Sequence, residues 1–211
     1  MGILSRPAKT RNTQHAMSRE RIVRKPLSAS RRASRSFDER LIVRFPWLFR
    51  AVGRLVFRLP PKSRLRQAVI WRSISQGFGA VNRRDFAAVL QRYRPDVEIR
   101  LAPEFQALDL ESVYRGREGY LQIYREYLPA FGDGFRLEPR ELIDLGDGRF
   151  VGLAEIDLRG ERSGVELGQR IAYLWMVDDD GTVVVEEQFS DWDRALQAVG
   201  LSQQELSKHA T

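Results

Sequence analysis

Arg149–Leu196, RFVGLAEIDLRGERSGVELGQRIAYLWMVDDDGTVVVEEQFSDWDRAL, is the stretch whose reading decides the fold. Three apolar runs follow one another, each closed by turn chemistry. Phe150–Leu158 ends at the glycine- and charge-rich segment Arg159–Gly164. Val165–Val177 ends at Asp178-Asp179-Asp180-Gly181, where the glycine supplies positive φ. Thr182–Phe189 carries the β-branched run Thr-Val-Val-Val, and a short helix, Asp193–Val199, closes at Gly200. The pattern predicts an antiparallel meander with one apolar face that other elements must cover.

Upstream segments supply the cover. Ser63 is a candidate N-cap for a helix carrying Leu65, Ala68, Val69, Trp71, Ile74, Phe78 and Val81 at helical spacing, loosened at Gly77-Phe-Gly79. Asn82–Asp85 breaks it, and Asp85 can cap a second helix, Phe86–Tyr93, that Pro95 ends. Asp96–Leu101 alternates as a strand, with Val97, Ile99 and Leu101 on one side and Glu98 and Arg100 on the other. A third helix, Arg117–Phe131, presents Tyr120, Leu121, Ile123, Tyr124, Tyr127 and Leu128, and Phe135–Leu145 begins a further strand.

Charge divides the chain. Residues 1–66 hold 18 Lys/Arg against 3 Asp/Glu, a balance of +15, whereas 67–211 hold 17 against 25, a balance of −8. Residues 1–37 read as a disordered basic tail. Residues 38–62 read as a basic amphipathic helix, with Asp38 as its cap, running to the stiff Pro60-Pro61. Arg50, Arg54 and Arg58 recur every four residues along one stripe. Arginines interrupt the apolar run too often for a membrane span. Two roles fit this helix: packing on the domain or a partner subunit, or peripheral contact of 38–59 with an anionic membrane, Trp47 at the interface.

There is no cysteine, which removes disulfides and thiolate chemistry and suits a cytoplasmic setting. The two histidines, His15 and His209, lie in the polar terminal regions, so acid–base chemistry inside the fold falls to carboxylates and tyrosines. The run Asp178–Asp180 lacks the spaced ligands of a calcium loop. No cofactor or metal is expected. Nucleic acid is not an expected partner either, since the tail offers charge without a base-reading motif.

The phrases AVNRRDFAAVLQRYRPDVEIR, YRGREGYLQIYREYL, SGVELGQRIAYLWMVDDDG and FSDWDRALQAVGL, in that order, resemble the SnoaL-like branch of the nuclear transport factor 2-like superfamily. The resemblance spans about Ser63 to Leu201 and sets a domain at 63–203 with a C-terminal tail at 204–211. It implies a cone-shaped α+β barrel, a curved mixed or antiparallel sheet wrapped around three helices, with the basic helical extension outside it. It further implies an open-ended pocket for a small hydrophobic ligand, a homodimer, and metal-free proton transfer by a pocket carboxylate as in isomerases, cyclases or dehydratases. The alternative is a non-catalytic ligand-binding or dimerisation module.

Strand alternation supplies the candidate site. Glu155 and Asp157 share one face of their strand and are the catalytic candidates; Gln169, Tyr173 and Trp175 share another, as do Glu186 and Gln188. Glu98, Arg100, Trp71 and Tyr120 complete the expected pocket. Set against the limonene-epoxide-hydrolase type of site, Asp157 matches an acidic position. Glu155 stands where that group has arginine, Gln188 where it has a second carboxylate, and Glu98 and Arg100 where it has tyrosine and asparagine. The water-activating set is therefore broken, and epoxide hydrolysis is not the expected reaction.

Overall fold

A computed structural model describes residues 21–103, 105, 110–131, 135–159 and 166–202; the side chains of 127–131, 157–159 and 166–168 fall outside that description. Among the described residues, seven strands form one open mixed sheet, flanked by six α-helices. The strands are β1 Val23–Pro26, β2 Tyr93–Leu101, β3 Val113–Arg115, β4 Phe135–Asp144, β5 Arg149–Arg159, β6 Glu166–Val177 and β7 Val183–Phe189. The helices are α1 Phe37–Arg44, α2 Pro46–Phe57, α3 Arg64–Asn82, α4 Phe86–Val89, α5 Gly116–Phe131 and α6 Trp192–Ala198. This is the α+β architecture expected from the sequence.

The sheet order is β1-β4-β5-β6-β7-β2-β3, antiparallel throughout except where β2 lies parallel to β7. Its two faces bury different cores. One face, with Val97, Ile99, Leu137, Phe150, Ile156 and Tyr173, packs against α3 and α5. The other, with Ile143, Val151, Leu153, Ala172 and Leu174, is covered by Ala195 and Leu196 of α6. Trp192 fixes that helix by donating its indole N–H toward the carbonyls of Ala154 and Ile171.

Local chemistry explains the helix ends. Ser63 and Asp85 accept from the backbone N–H groups of Arg66 and Ala88, as their positions predict. Helix α3 runs unbroken through Gly77 and Gly79 because packing outweighs the ~1 kcal/mol glycine penalty. The expected single helix over 38–59 is two. Pro46 takes the first turn of α2, and α1 is capped by Ser36 rather than Asp38, with Glu39 completing a capping box. Strand β2 begins at Tyr93, three residues before the expected start, because the backbone is already extended there after a 3₁₀ turn at Leu90–Arg92. Pro95 falls in the register break between Tyr93 and Glu98, where no ladder N–H is required. Part of the expected tail is also ordered: β1 pairs with β4 and Leu27 joins the core.

Helix α1 is held to α3 by charge. Asp38 accepts from Arg72 and Gln76, Glu39 pairs with Arg83, and Arg35 forks onto Asp85 at 2.6 Å through both nitrogens. The Arg72 guanidinium holds the Asp38 carboxyl well below the usual carboxylate range, and Arg35 lowers that of Asp85. Folded-state values depressed in this way contribute stability above the unfolded carboxyl range, lost as pH falls through the folded values. Acidification is therefore expected to release α1 first. Hydrogen exchange should show the α1 amides losing protection on approach to pH ~3 before those of β5 and β6, and Asp38→Asn should blunt that pH dependence.

Candidate functional site

Between the helices and the sheet lies a cavity of about 470 Å³. Helix α2 contributes Leu48, Phe49 and Val56, α3 contributes Ile70 and Phe78, and the sheet contributes Phe150, Tyr173 and Trp175. The lining is mostly apolar, the usual character of a small-molecule site. The β6–β7 turn, Asp178–Gly181, forms where the sequence predicts a turn, with Asp178 accepting from Thr182 and Gly181 at φ +79°, and Gly181 joins the cavity lining.

One carboxyl group sits in this apolar wall. Glu186 is 1% exposed, and three side-chain donors converge on it. Tyr93 donates its hydroxyl to Oε2, the Trp175 indole N–H reaches the same oxygen at 2.7 Å, and Gln188 Nε2 donates to Oε1 at 2.6 Å. The register builds this cluster: Glu186 stands opposite Trp175 on β6 and Ile99 on β2, and Gln188 follows two residues along the same face. Burial pushes the Glu186 carboxyl above its usual range, against the pull of the Tyr93, Gln188 and Trp175 hydrogen bonds. Burial and the neighbouring Glu186 charge push the Tyr93 phenol well up, so it remains a neutral donor.

Aromatic packing holds the donors in place. Tyr173 and Trp175 stack with ring planes 1° apart, and the Phe78 ring meets both edge-on. Gly152 lets the indole lie flat on β5, since a Cβ there would stand 2.6 Å from the Trp175 ring. On the other side Tyr93, Tyr120 and Tyr124 form a tilted column, with Tyr120 donating to Tyr124 at 3.3 Å. A cation also reaches the lining. Arg92 is buried, donates to the carbonyls of Ser73 and Ala88, and keeps Nη2 without a hydrogen-bond partner among the described residues.

Of the residues named from sequence, Tyr120, Tyr173, Trp175 and Glu186 line the cavity, and Gln188 binds Glu186 from behind. Of the others, those whose side chains are described lie elsewhere. Glu155 is half-buried and pairs with Arg140 at 2.6 Å, away from the cavity. Glu98 and Arg100 form an outer-face ladder with each other and Glu187, while Val97 and Ile99 take the core side. Gln169 is exposed where β6 leaves the core. Trp71 packs against the core beside the Lys25 ammonium without lining the cavity. The Asp157 side chain lies outside the described residues; its backbone pairs with Arg136 and Gly168. Tyr93, Tyr124 and Arg92 were not among the candidates. The Tyr120–Tyr124 spacing of four on a buried helix face was the available signal for the tyrosine column.

Among the described residues no group of three or more His, Cys, Asp or Glu is placed to hold a metal ion, and no helix is long and apolar enough to cross a membrane.

Comparison with known proteins yields structural likenesses only. No family model matches the chain, and no curated protein matches it. Solved structures similar to it include TerC co-crystallized with polyporic acid, 25% identical over 57% of this chain and 89% of that one, with a TM-score of 0.49. An NTF2-like protein of unknown function from Burkholderia pseudomallei K96243 is 22% identical over 61% of this chain and 95% of that one, with a TM-score of 0.49. A SnoaL-like protein of unknown function from Burkholderia thailandensis E264 is 20% identical over 58% and 95%, with a TM-score of 0.44. In fold, the chain is similar to NTF2-like and SnoaL-like proteins.

Proposed function

We propose that the cavity binds a small, largely apolar molecule and that Glu186 transfers a proton on it. The observation that carries this reading is the carboxyl group itself: buried in an apolar wall, raised above its usual range by burial, and held by three donors. A carboxyl shifted upward is a stronger base when ionised and is matched to acid–base work nearer neutral pH. In this reading Glu186 takes the role expected for Glu155, which pairs with Arg140 away from the cavity; the Asp157 side chain lies outside the described residues. Tyr93, Trp175 and Gln188 act as positioning residues that fix which carboxylate oxygens are already occupied. The step is removal of a proton from an acidic carbon beside a carbonyl; the C–H electron pair becomes an enolate, and the proton on Glu186 is then returned.

The test is solvent deuterium exchange at the α-carbon of 2-tetralone, an apolar bicyclic ketone, followed by mass spectrometry. Wild-type protein should accelerate incorporation over buffer, and Glu186→Gln should reduce that acceleration by at least about a hundredfold. The glutamine is nearly isosteric and can still accept from Tyr93 and Trp175, so the cavity should survive. Exchange at the buffer rate while calorimetry shows the ketone bound would leave a binding module without this chemistry. Acceleration unchanged by the substitution would remove Glu186 from the reaction.

A further inference from the structure

Helix α2 has two faces of opposite chemistry. Leu48, Phe49, Gly53, Val56 and Phe57 look into the cavity. A half-turn away, Trp47, Arg50, Arg54 and Arg58 form an outward stripe. Trp47 is 62% exposed and Leu55, beside the stripe, 64%. Arg40 and Arg44 of α1 are exposed as well. Arg50 lies beside Asp180, but Arg40, Arg44, Arg54 and Arg58 form no ion pair among the described residues.

The acids of this segment are turned the other way. Between residues 37 and 58 the only carboxylates are Asp38 and Glu39. Both are tied to α3, through Arg72 and Arg83. The outward surface of α1 and α2 thus carries cations with an exposed indole among them, and its acids are held in ion pairs with Arg72 and Arg83. A purely solvated face would not need Trp47 and Leu55 beside the arginines. Phe37, Phe45 and Val52 are exposed along the same segment, so the cations surround apolar side chains of the kind that enter a lipid interface.

We infer that this surface docks the protein on an anionic lipid bilayer, with Trp47 at the interface and the arginines among the headgroups. Each arginine near such a surface contributes by Coulomb attraction, and indole rings favour the headgroup level. Docking would set the cavity one helix diameter, ~10 Å, from the headgroups, so that α2 alone separates the apolar lining from lipid. The inference stands independently of the role given to Glu186.

The experiment is co-sedimentation of the full chain with phosphatidylcholine vesicles, with and without phosphatidylglycerol, at low salt. Wild type should bind the phosphatidylglycerol vesicles and not pure phosphatidylcholine. The triple variant Arg44→Gln, Arg54→Gln, Arg58→Gln should bind about a hundredfold more weakly, since each cation is worth roughly a factor of five. A tail variant, Arg6→Gln, Lys9→Gln, Arg11→Gln, removes the same charge elsewhere and should keep most of the binding. Unchanged melting by circular dichroism shows that the triple variant is folded. Absence of binding to phosphatidylglycerol vesicles would overturn the proposal. So would loss of binding in the tail variant with retention in the helix variant. Duplex DNA bound more tightly than the vesicles, and through the same three arginines, would assign the surface to nucleic acid instead.

Discussion

Asp144→Asn is expected to lower the free energy of unfolding by ~3–5 kcal/mol, the usual consequence of stranding one partner of a buried ion pair. Asp144 is 0% exposed at the end of β4, and Arg66, 3% exposed in the first turn of α3, is its partner. The guanidinium reaches Oδ2 through Nε at 3.3 Å and through Nη2 at 3.0 Å. Arg66 also donates to the Leu59 carbonyl at 3.3 Å and lies over the Phe57 ring. Asparagine keeps the bond from the Gly146 N–H, which reaches Oδ1 at 2.8 Å, but leaves the cation buried without its counter-charge. Urea denaturation should show the midpoint falling by roughly 1–5 M for a slope of about 1–3 kcal/mol/M. The double variant Arg66→Met, Asp144→Asn buries no charge and should recover much of that loss. If the double variant is as unstable as the single one, the stranded charge is not the cause.

Gly53→Val should detach α2 from the sheet. A Cβ at Gly53 would stand 1.8 Å from the carbonyl oxygen of Asp180 and 2.6 Å from its carbon. Those are backbone atoms of a turn pinned by its own hydrogen bonds, so the helix must move instead. Moving it exposes Leu48, Phe49 and Val56, which line the cavity. Loss of about half that burial amounts to ~3 kcal/mol, at roughly 1.5–3 kcal/mol for each side chain. Hydrogen exchange should rise selectively in α2, while β5 and β6 keep their protection. Unaltered exchange in α2 would mean that the turn, not the helix, gives way.

Short-range signals were the legible ones. The three meander strands, the turn at Asp178–Gly181 and the caps Ser63 and Asp85 lie where their residues place them, because each depends on neighbours within a few positions. The site was legible in part. Glu186, Gln188, Tyr173 and Trp175 follow from alternation on β6 and β7, but alternation does not say which of two faces is inward. On β5 the rule fails for a physical reason: both faces are covered. Phe150 and Ile156 meet the cavity-side core, while Val151 and Leu153 are buried under α6, so polarity alone could not set Glu155 inside or outside. Tyr93 and Arg92 escaped because they lie at the 3₁₀-to-strand junction, where neither helical nor strand periodicity applies. The inner face of α2 escaped because an amphipathic helix does not announce what its apolar side will meet.

The parallel pairing of β2 with β7 has a consequence for how the molecule must assemble. Tyr93 and Glu186, joined by a side-chain hydrogen bond, are separated by 93 residues of chain. During synthesis β2 emerges early, flanked on one edge only by the three-residue β3, and its other edge waits for almost the whole meander. Contacts of such sequence separation slow folding, because a long loop must close before they can form. Until then Val97 and Ile99 lie on an unpaired strand edge, the kind of surface that recruits other chains. Truncation ahead of Val183 would therefore remove more than a strand. It would leave a nascent chain with an open edge and no carboxylate for Tyr93 to meet.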